Sequence, residues 1–579
     1  MSQPLNSFMV SSLANLAERS AAASEPKPAP LSESGVAPVI AAIDVGSNSL
    51  HMVVVRINPN IPSFTIISRE KATVRLGEFC SQTGALTPAA MERARTALER
   101  FCRIAESFQV QDIVAVATSA VREAPNGPEF LKRIEQELGL RIELISGQEE
   151  ARRIYLGVLS AMEFHNRLHA VVDIGGGSTE LILGNGQEPE FLRSIKVGAV
   201  RLTQAFLHHD PPTSAELQAL RQHVRGMLEA PIEQMRRIVE ASQQPGSLTL
   251  VGTSGTIECL AQLDARRRLG DPPARLHGYR FSLEALRGYI KELRSLTVAE
   301  RQKLPGLGER RGEIILAGAV ILEAVMTLLG VERIQFCERA LREGLIVDWM
   351  IGQGLIEDRL RYHSSVRRRS ILKLAEKYQV ELPYAERVAE FALSLFDQTR
   401  GILHSWGSRE RALLWAAAML HNCGHFISHA AHHKHSYYLI RHGELLGFNE
   451  EEIEVIANLA RYHRKSPPKK KHENFQRLSN ERDRQVVLEL SPLLRIACAL
   501  DRRRLQAIQA LHCRFQLLGE GPRCMELILD PKHPNDDCAL ELWSLNEKKK
   551  VFEQQFKLQV IPKLSTQIQR SADPFEAAV

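Results

Sequence analysis

The chain has 579 residues, 44% of them hydrophobic and 25% charged, with a formal net charge of +6 at pH 7. This length exceeds one hydrophobic core and predicts three or four domains of roughly 150 residues each. The absence of an apolar run near ~18 residues excludes an integral membrane segment, and the small charge excess does not indicate a stable nucleic-acid complex. Nine cysteines without a CxxC pair predict reduced thiols in a cytoplasmic protein, with peripheral membrane association left open.

Strands and helices alternate over the first 345 residues and predict an α/β fold. Before them, a segment rich in Ala, Pro and Ser predicts a disordered tail. Thr87 and Pro88 predict a helix start, and another helix is expected to open at Ile257. From about 345 to 510 helical patterns dominate, and short alternating runs follow. Strands are expected near 39–44, 50–57, 112–117, 142–145 and 169–173.

Two short stretches share one pattern, in which an apolar strand ends in Asp and then turns through small or hydroxyl residues. They are 43–49, IDVGSNS, and 172–180, VDIGGGSTE. A third small-residue turn, GTSGT at 252–256, precedes a helix whose N-terminus would favour an anion. Such turns place backbone N–H groups and hydroxyls around an anion beside a carboxylate. Either Asp alone would be explained as a turn cap, but the repetition predicts a duplicated core that binds a phosphate-bearing substrate.

These hairpins resemble the duplicated core of the actin-like, ribonuclease H-like ATPase superfold. Within that group the chain is most similar to the exopolyphosphatase and guanosine pentaphosphate phosphohydrolase family, and closest to exopolyphosphatase. Further matching runs in the α/β part are ATSAVREA at 117–124, ISGQEEAR at 145–152 and ALREG at 340–344. The helical part resembles the long form of the family through AMLH at 418–421, HHKHS at 432–436 and RYHRK at 461–465.

The sequence pattern and the resemblance together predict five segments. They are a disordered tail over 1–38, actin-like α/β domains over 39–153 and 154–345, an all-α HD-like domain over 346–512 and a small α+β domain over 513–579.

The resemblance assigns the water-activating base to Glu150, the second glutamate of the SGQEEAR run. A glutamate in the first turn of a helix is also favoured electrostatically, and Glu149 would lie on another face because adjacent helical residues do not share one. Arg122 would donate to phosphate, which guanidinium groups bind in a bidentate manner. The alternative for Arg122 is a surface ion pair with Glu123 or Glu129.

Phosphoanhydride hydrolysis also needs a phosphate cradle and a cation. Asp44 and Asp173 are the predicted oxygen ligands of Mg²⁺, and Glu180 would reach the same ion through water. The predicted phosphate-binding residues are Gly46, Ser47, Asn48, Ser49, Gly175, Gly176, Gly177, Ser178, Thr179, Ser254 and Gly255.

The helical domain resembles metal-dependent HD phosphohydrolases, which use a His, a His-Asp pair and a later Asp. Here the pair is His421-Asn422, so a degenerate domain without hydrolase activity of its own is expected, although His404 and Asp501 could fill the outer positions. A further group looks metal-like but matches no zinc spacing: His429, His432, His433 and His435.

Basic residues of the helical part are predicted to line a polyphosphate channel, with solvated faces as the alternative. They are Lys434, Arg464, Lys469, Lys470 and Lys471.

The leading interpretation is a processive, Mg²⁺-assisted exopolyphosphatase that releases terminal orthophosphate from inorganic polyphosphate. The alternative is hydrolysis of the 5′ γ-phosphate of guanosine pentaphosphate, and the resemblance also allows both activities together, since some members of the family have both. A kinase or ATPase of the same superfold would need a purine pocket for which no signature is present. An alarmone-binding regulator without catalysis is disfavoured by the two intact hairpins. The resemblance also implies a homodimer with a role in the stringent response.

Overall fold

The computed structural model describes residues 37–78, 83–242, 248–270, 275–307, 311–356, 365–518 and 521–565. The predicted tail, apart from residues 37 and 38, lies outside the described residues. Within the described residues no helix combines the length and apolarity needed to cross a membrane.

Two sheets with related topology form the α/β part of the molecule. Strands of the first sheet are β1 (Val39–Val45), β2 (Ser49–Asn58), β3 (Ser63–Thr73), β4 (Asp112–Ala117) and β5 (Glu143–Leu144). Strands of the second are β6 (His169–Ile174), β7 (Thr179–Gly184), β8 (Phe191–Ile195), β9 (Thr249–Thr253), β10 (Arg280–Ser282) and β11 (Arg333–Phe336).

The order of the first sheet is β3-β2-β1-β4-β5, and the second contains the equivalent series β8-β7-β6-β9-β11 with β10 added at its edge. In both sheets the Asp-bearing strand forms an antiparallel hairpin with the next strand and pairs in parallel with β4 or β9 on its other side. The predicted duplicated actin-like fold is therefore confirmed.

Helices of the α/β part surround these sheets and shield their apolar faces. They are α1 (Pro88–Ser107), α2 (Ser119–Glu123), α3 (Gly127–Leu138), α4 (Gly147–Leu159), α5 (Ala199–Phe206), α6 (Ser214–Ala241), α7 (Gly255–Leu269), α8 (Leu283–Leu293), α9 (Val298–Gln302), α10 (Ile315–Leu329) and α11 (Leu341–Gly352).

Local capping fixes where several of these helices begin. The Thr87 hydroxyl accepts a hydrogen bond from the Ala90 N–H at 3.2 Å, as its sequence context predicts. Helix α7 begins at Gly255, two residues before the predicted start.

Helices α4 and α11 lie in close contact because both carry glycine where they meet. A Cβ at Gly344 would lie 1.7 Å from the Arg153 carbonyl oxygen, and a Cβ at Gly157 would lie 2.0 Å from that of Ala340. This contact holds the ALREG run beside the helix that carries Glu150.

The described residues from 365 onward are mainly helical, and a small sheet follows the helical region. Its helices are α12 (Val366–Lys377), α13 (Leu382–Thr399), α14 (Ser408–Leu420), a 3₁₀ turn (Cys423–Phe426), α15 (His432–Arg441), α16 (Glu450–Arg461), α17 (Glu473–Gln476), α18 (Glu481–Ala497), α19 (Ala539–Lys548) and α20 (Lys550–Phe556). The sheet has the order β12 (Ile508–Leu518), β13 (Gly521–Pro531), β14 (Gln559–Leu564). Helices and sheet share one hydrophobic core that runs from Ile371 to Leu564.

Candidate active site

The two Asp-bearing turns face one cavity of about 210 Å³. Register places Asp44 opposite His51 across the first hairpin and Asp173 opposite Glu180 across the second. Thirteen of the predicted site residues line this cavity: Asp44, Gly46, Ser47, Asn48, Ser49, Glu150, Asp173, Gly175, Gly176, Ser178, Glu180, Ser254 and Gly255. The fold thus brings together residues that are up to about 210 positions apart in the sequence.

Two predicted phosphate-binding residues lie behind the cavity lining. Thr179 is fully buried, and its hydroxyl donates to the Val197 carbonyl. Gly177 packs against Ser119, whose hydroxyl lies 3.0 Å from that of Ser47. Both residues therefore contribute to the packing of the second turn.

Several lining residues were not identified from the sequence: His51, Lys71, Ser119, Glu258, Arg311 and Arg342. His51 could have been found because it occupies the same hairpin position as Glu180. Arg342 belongs to the ALREG run, and Ser119 to the ATSAVREA run. Arg311 and Glu258 carry no signal in a single sequence.

Glu150 is 7% exposed in the first turn of α4, and the Ser146 hydroxyl caps this helix by accepting from the Glu149 N–H at 3.1 Å. Arg122 Nη1 donates to Glu150 Oε2 at 3.2 Å and to the Ile145 carbonyl at 2.8 Å. Arg122 therefore contacts the predicted base and does not itself line the cavity.

Two acidic residues next to Arg122 and Glu150 in the sequence, Glu123 and Glu149, pair with other arginines. Glu123 pairs with Arg201 at 2.8 Å and not with Arg122. Glu149 binds Arg152 at 2.7 Å, on another face of α4 as expected for an adjacent helical residue.

Burial and mutual repulsion disfavour the charged forms of the carboxyl groups in this cavity. Burial raises the pKa of Asp44 to about 6 against the pull of Arg342, and burial raises the pKa of Glu180 to about 7. The pKa values of Asp173 and Glu150 are raised well above their usual range, first by burial and then by Glu180. Four carboxyl groups that cannot all ionise cheaply form a site that a cation would stabilise.

The donor set of this cavity fits Mg²⁺ together with a phosphate. Asp44, Asp173 and Glu180 offer the hard carboxylate oxygens that Mg²⁺ prefers. The Ser254 hydroxyl is buried without a hydrogen-bond partner among the described residues, and Ser254 has a φ of +93°. An unpaired buried hydroxyl in a strained turn is a feature of ligand-binding sites.

The predicted channel residues lie apart from this cavity. Lys434, Lys469, Lys470 and Lys471 are exposed, and none of them lines it. Arg464 is half-buried and contacts His432 in a second cavity, with its Nη1 3.0 Å from the His432 Nδ1.

Comparison with known proteins gives matches over both parts of the chain. Models of the Ppx/GppA phosphatase family and of Ppx/GppA phosphatase domain III match residues 53–352 and 366–549. A guanosine-5′-triphosphate,3′-diphosphate pyrophosphatase of Vibrio parahaemolyticus is 30% identical over 509 residues, covering 87% of this chain and 94% of the relative. A protein of the same name from Pseudoalteromonas atlantica is 31% identical over 467 residues, covering 80% of this chain and 86% of the relative.

Among solved structures, an exopolyphosphatase from Cytophaga hutchinsonii is 28% identical with a TM-score of 0.50, covering 55% of this chain and 98% of its own. The family placement predicted from the motifs is thus confirmed. The chain belongs to the Ppx/GppA phosphatase family, whose members hydrolyse phosphoanhydride bonds.

Proposed function

We propose that this protein removes the terminal 5′-phosphate of guanosine pentaphosphate and releases orthophosphate and the tetraphosphate. The observation that carries the proposal is the buried Glu150 carboxylate in a cavity flanked by two Asp-bearing turns. The names of the similar proteins from Vibrio parahaemolyticus and Pseudoalteromonas atlantica support the nucleotide over inorganic polyphosphate. The proposal therefore places guanosine pentaphosphate before inorganic polyphosphate, the reverse of the order that the sequence suggested.

A wide cleft next to the catalytic cavity supports a substrate larger than a phosphate chain. This cleft of about 860 Å³ shares His51, Lys71 and Arg342 with the smaller cavity. Its volume lies in the range of small-molecule pockets. Its basic lining residues would face the phosphates that remain on the nucleoside: Arg69, Lys71, Arg266, Arg275 and Arg342.

Glu150 would accept a proton from the water that attacks the terminal phosphorus. A new P–O bond forms to that water, the bond to the bridging oxygen breaks, and the tetraphosphate leaves with the electron pair. A carboxylate with a raised pKa suits this role because it is a stronger base near neutral pH. Arg122 holds the Glu150 carboxylate in place and partly offsets its burial. Mg²⁺, when held by Asp44, Asp173 and Glu180, would neutralise charge on the phosphate oxygens.

The test compares orthophosphate release from guanosine pentaphosphate by the wild-type protein and by Glu150→Gln. We expect a loss of about 10²- to 10⁴-fold in kcat, the usual contribution of a general base. Glu149→Gln is the matched control, because Glu149 pairs with Arg152 and does not line the cavity, and this variant should stay within a few-fold of wild type. If Glu150→Gln also retains turnover within a few-fold, the base assignment is wrong.

Inorganic polyphosphate is the second candidate substrate, favoured by the exposed Lys469, Lys470 and Lys471. Turnover on both substrates at equal concentrations of terminal phosphate separates the candidates. Faster release from long-chain polyphosphate than from guanosine pentaphosphate would overturn the proposed preference. The homodimer and the role in the stringent response remain predictions.

A further inference from the structure

A second cavity, of about 350 Å³, lies in the helical part and shares no residue with the catalytic cavity. Five of its lining side chains are imidazoles: His421, His425, His429, His432 and His463. His429 and His432 belong to the group that looked metal-like in sequence, whereas His433 and His435 do not line the cavity. His404 and Asp501, the candidates for the outer HD positions, do not line it either. The His421-Asn422 pair therefore lines this cavity with four other imidazoles and without the two outer HD candidates.

Backbone carbonyls fix the orientation of two of these imidazoles. Nδ1 of His421 lies 2.6 Å from the Ala418 carbonyl oxygen, and Nδ1 of His463 lies 2.6 Å from that of Ala460. Because a carbonyl only accepts, each Nδ1 carries the proton and each Nε2 presents a lone pair. His421 Nε2 is buried without a hydrogen-bond partner among the described residues. A ligating histidine is held in the same way by a hydrogen bond from its other nitrogen.

His432 joins these two residues to the remaining imidazoles. Its Nε2 lies 3.3 Å from the His463 Nε2, a separation comparable to that of two donors on one tetrahedral ion with bonds of about 2.1 Å. Ligand atoms of His425, His429 and His432 lie within 4.8 Å of one another. An imidazole binds metal in its neutral form, through the lone pair of one ring nitrogen.

From this geometry we infer that the imidazole cluster centred on His432 binds one first-row transition metal ion, such as Zn²⁺. Nitrogen donors select such an ion over Mg²⁺, which prefers oxygen. The site is therefore distinct in chemistry as well as in place from the carboxylate cavity.

The charges around the cluster set a condition on this ion. Arg464 Nη1 lies 3.0 Å from His432 Nδ1 and 3.4 Å from its Nε2, so the guanidinium competes with a metal ion for this imidazole. Other charged lining residues are Arg502, Arg504, Glu547 and Lys548, and Arg504 is paired with Glu381. A net positive lining disfavours a bare dication and favours one that carries an anion in its open coordination position.

The experiment is a titration of the EDTA-treated full-length protein with Zn²⁺, and with Co²⁺ for its visible absorption, in excess Mg²⁺ to occupy carboxylate sites. We expect one ion per chain and weaker binding by about 10- to 100-fold or more in His425→Ala and His432→Ala. The control is His435→Ala, because His435 lies on helix α15 with His432 but outside the cavity, and this variant should bind Zn²⁺ like wild type. His432 is buried, so its replacement by Ala could also destabilise the fold. The thermal midpoint of each variant, and the variant at the half-exposed His425, distinguish loss of a ligand from loss of the fold.

Arg464→Gln gives a test of opposite sign. Removal of the competing cation should tighten Zn²⁺ binding, whereas every ligand variant weakens it. Equal Zn²⁺ binding by wild type and both ligand variants would overturn the inference. The inference would also fail if the wild-type protein bound no Zn²⁺ while Arg464→Gln abolished the binding of inorganic phosphate to this cavity, because the cavity would then be an anion site.

Discussion

Replacement of Glu180 by Gln is expected to stabilise the magnesium-free protein at alkaline pH while removing a predicted metal ligand. Glu180 is 1% exposed, and burial raises its pKa from the ordinary 4.5 to about 7. The folded protein therefore holds this proton more tightly than the unfolded chain does. Below pH 4.5 Glu180 is protonated in both the folded and the unfolded state, so its ionisation does not change the free energy of unfolding. Between pH 4.5 and 7 the unfolded state ionises first, so stability falls as pH rises.

The size of this effect follows from the two pKa values. Their difference corresponds to about 3 kcal/mol, because each unit of pKa is worth about 1.4 kcal/mol. Glutamine cannot ionise, and its amide oxygen can still accept the hydrogen bond that Ser194 Oγ donates at 2.7 Å. Glu180→Gln should therefore exceed wild type in unfolding free energy by less than about 1 kcal/mol at pH 5 and by about 3 kcal/mol at pH 8.

Urea denaturation in EDTA at pH 5, 6, 7 and 8 measures this difference. Glu190→Gln, at an exposed position of the loop between β7 and β8, is the control and should show no such pH dependence. Mg²⁺ at pH 8 should stabilise the wild-type protein more than Glu180→Gln, since a bound dication offsets the buried charge. A variant advantage of equal size at pH 5 and pH 8 would refute the reasoning, because burial of charge would then not be its cause.

Three further predictions concern the turns and the basic surface. Gly177→Ala should lower both the thermal midpoint and the activity, since its Cβ would lie 2.4 Å from Ser119 Oγ. The control is Gly226→Ala, in open space within α6, which should instead raise the free energy of unfolding by up to about 1 kcal/mol. Ser254→Gly should raise the thermal midpoint by relieving a φ of +93° but raise KM by removing a hydroxyl, and unchanged KM would argue against a phosphate contact. The third variant combines Lys469→Gln, Lys470→Gln and Lys471→Gln at exposed positions. It should weaken the binding of long-chain polyphosphate and leave the turnover of guanosine pentaphosphate unchanged. A similar loss on both substrates would contradict the channel assignment.

The features that the sequence predicted well are those with local causes. The helix start at Thr87 depends on a side chain three residues from the N–H that it binds. The hairpin turns depend on runs of small residues that few other structures require. The meeting of Asp44 and Asp173 could be inferred because a repeated pattern implies a repeated fold, which the two related sheets show.

The features that it missed depend on tertiary contacts. Strand β3 forms one edge of its sheet and carries polar residues such as Arg69 and Glu70, so it lacks the apolar signal of an inner strand. Lys71 reaches the cavity only because this strand pairs with β2 opposite His51. Arg311 reaches it from a turn of the second half of the α/β part. Neither position has a periodicity or motif that a single sequence could reveal.

The duplicated hairpins differ at the position seven residues after each Asp, where the first has His51 and the second has Glu180. Burial and the nearby Arg342 and Lys71 lower the pKa of His51 to about 2, so the first hairpin holds a neutral donor in place of a carboxylate. A glutamate at position 51 would add another acid to this cavity and would repel the phosphate groups of the substrate. The cavity is already lined by five acidic residues: Asp44, Glu150, Asp173, Glu180 and Glu258. A histidine in the second hairpin would remove the ligand that completes the proposed Mg²⁺ site. Substitution at this one position therefore lets a repeated fold act as a single site, with one hairpin suited to the phosphate and the other to its cation.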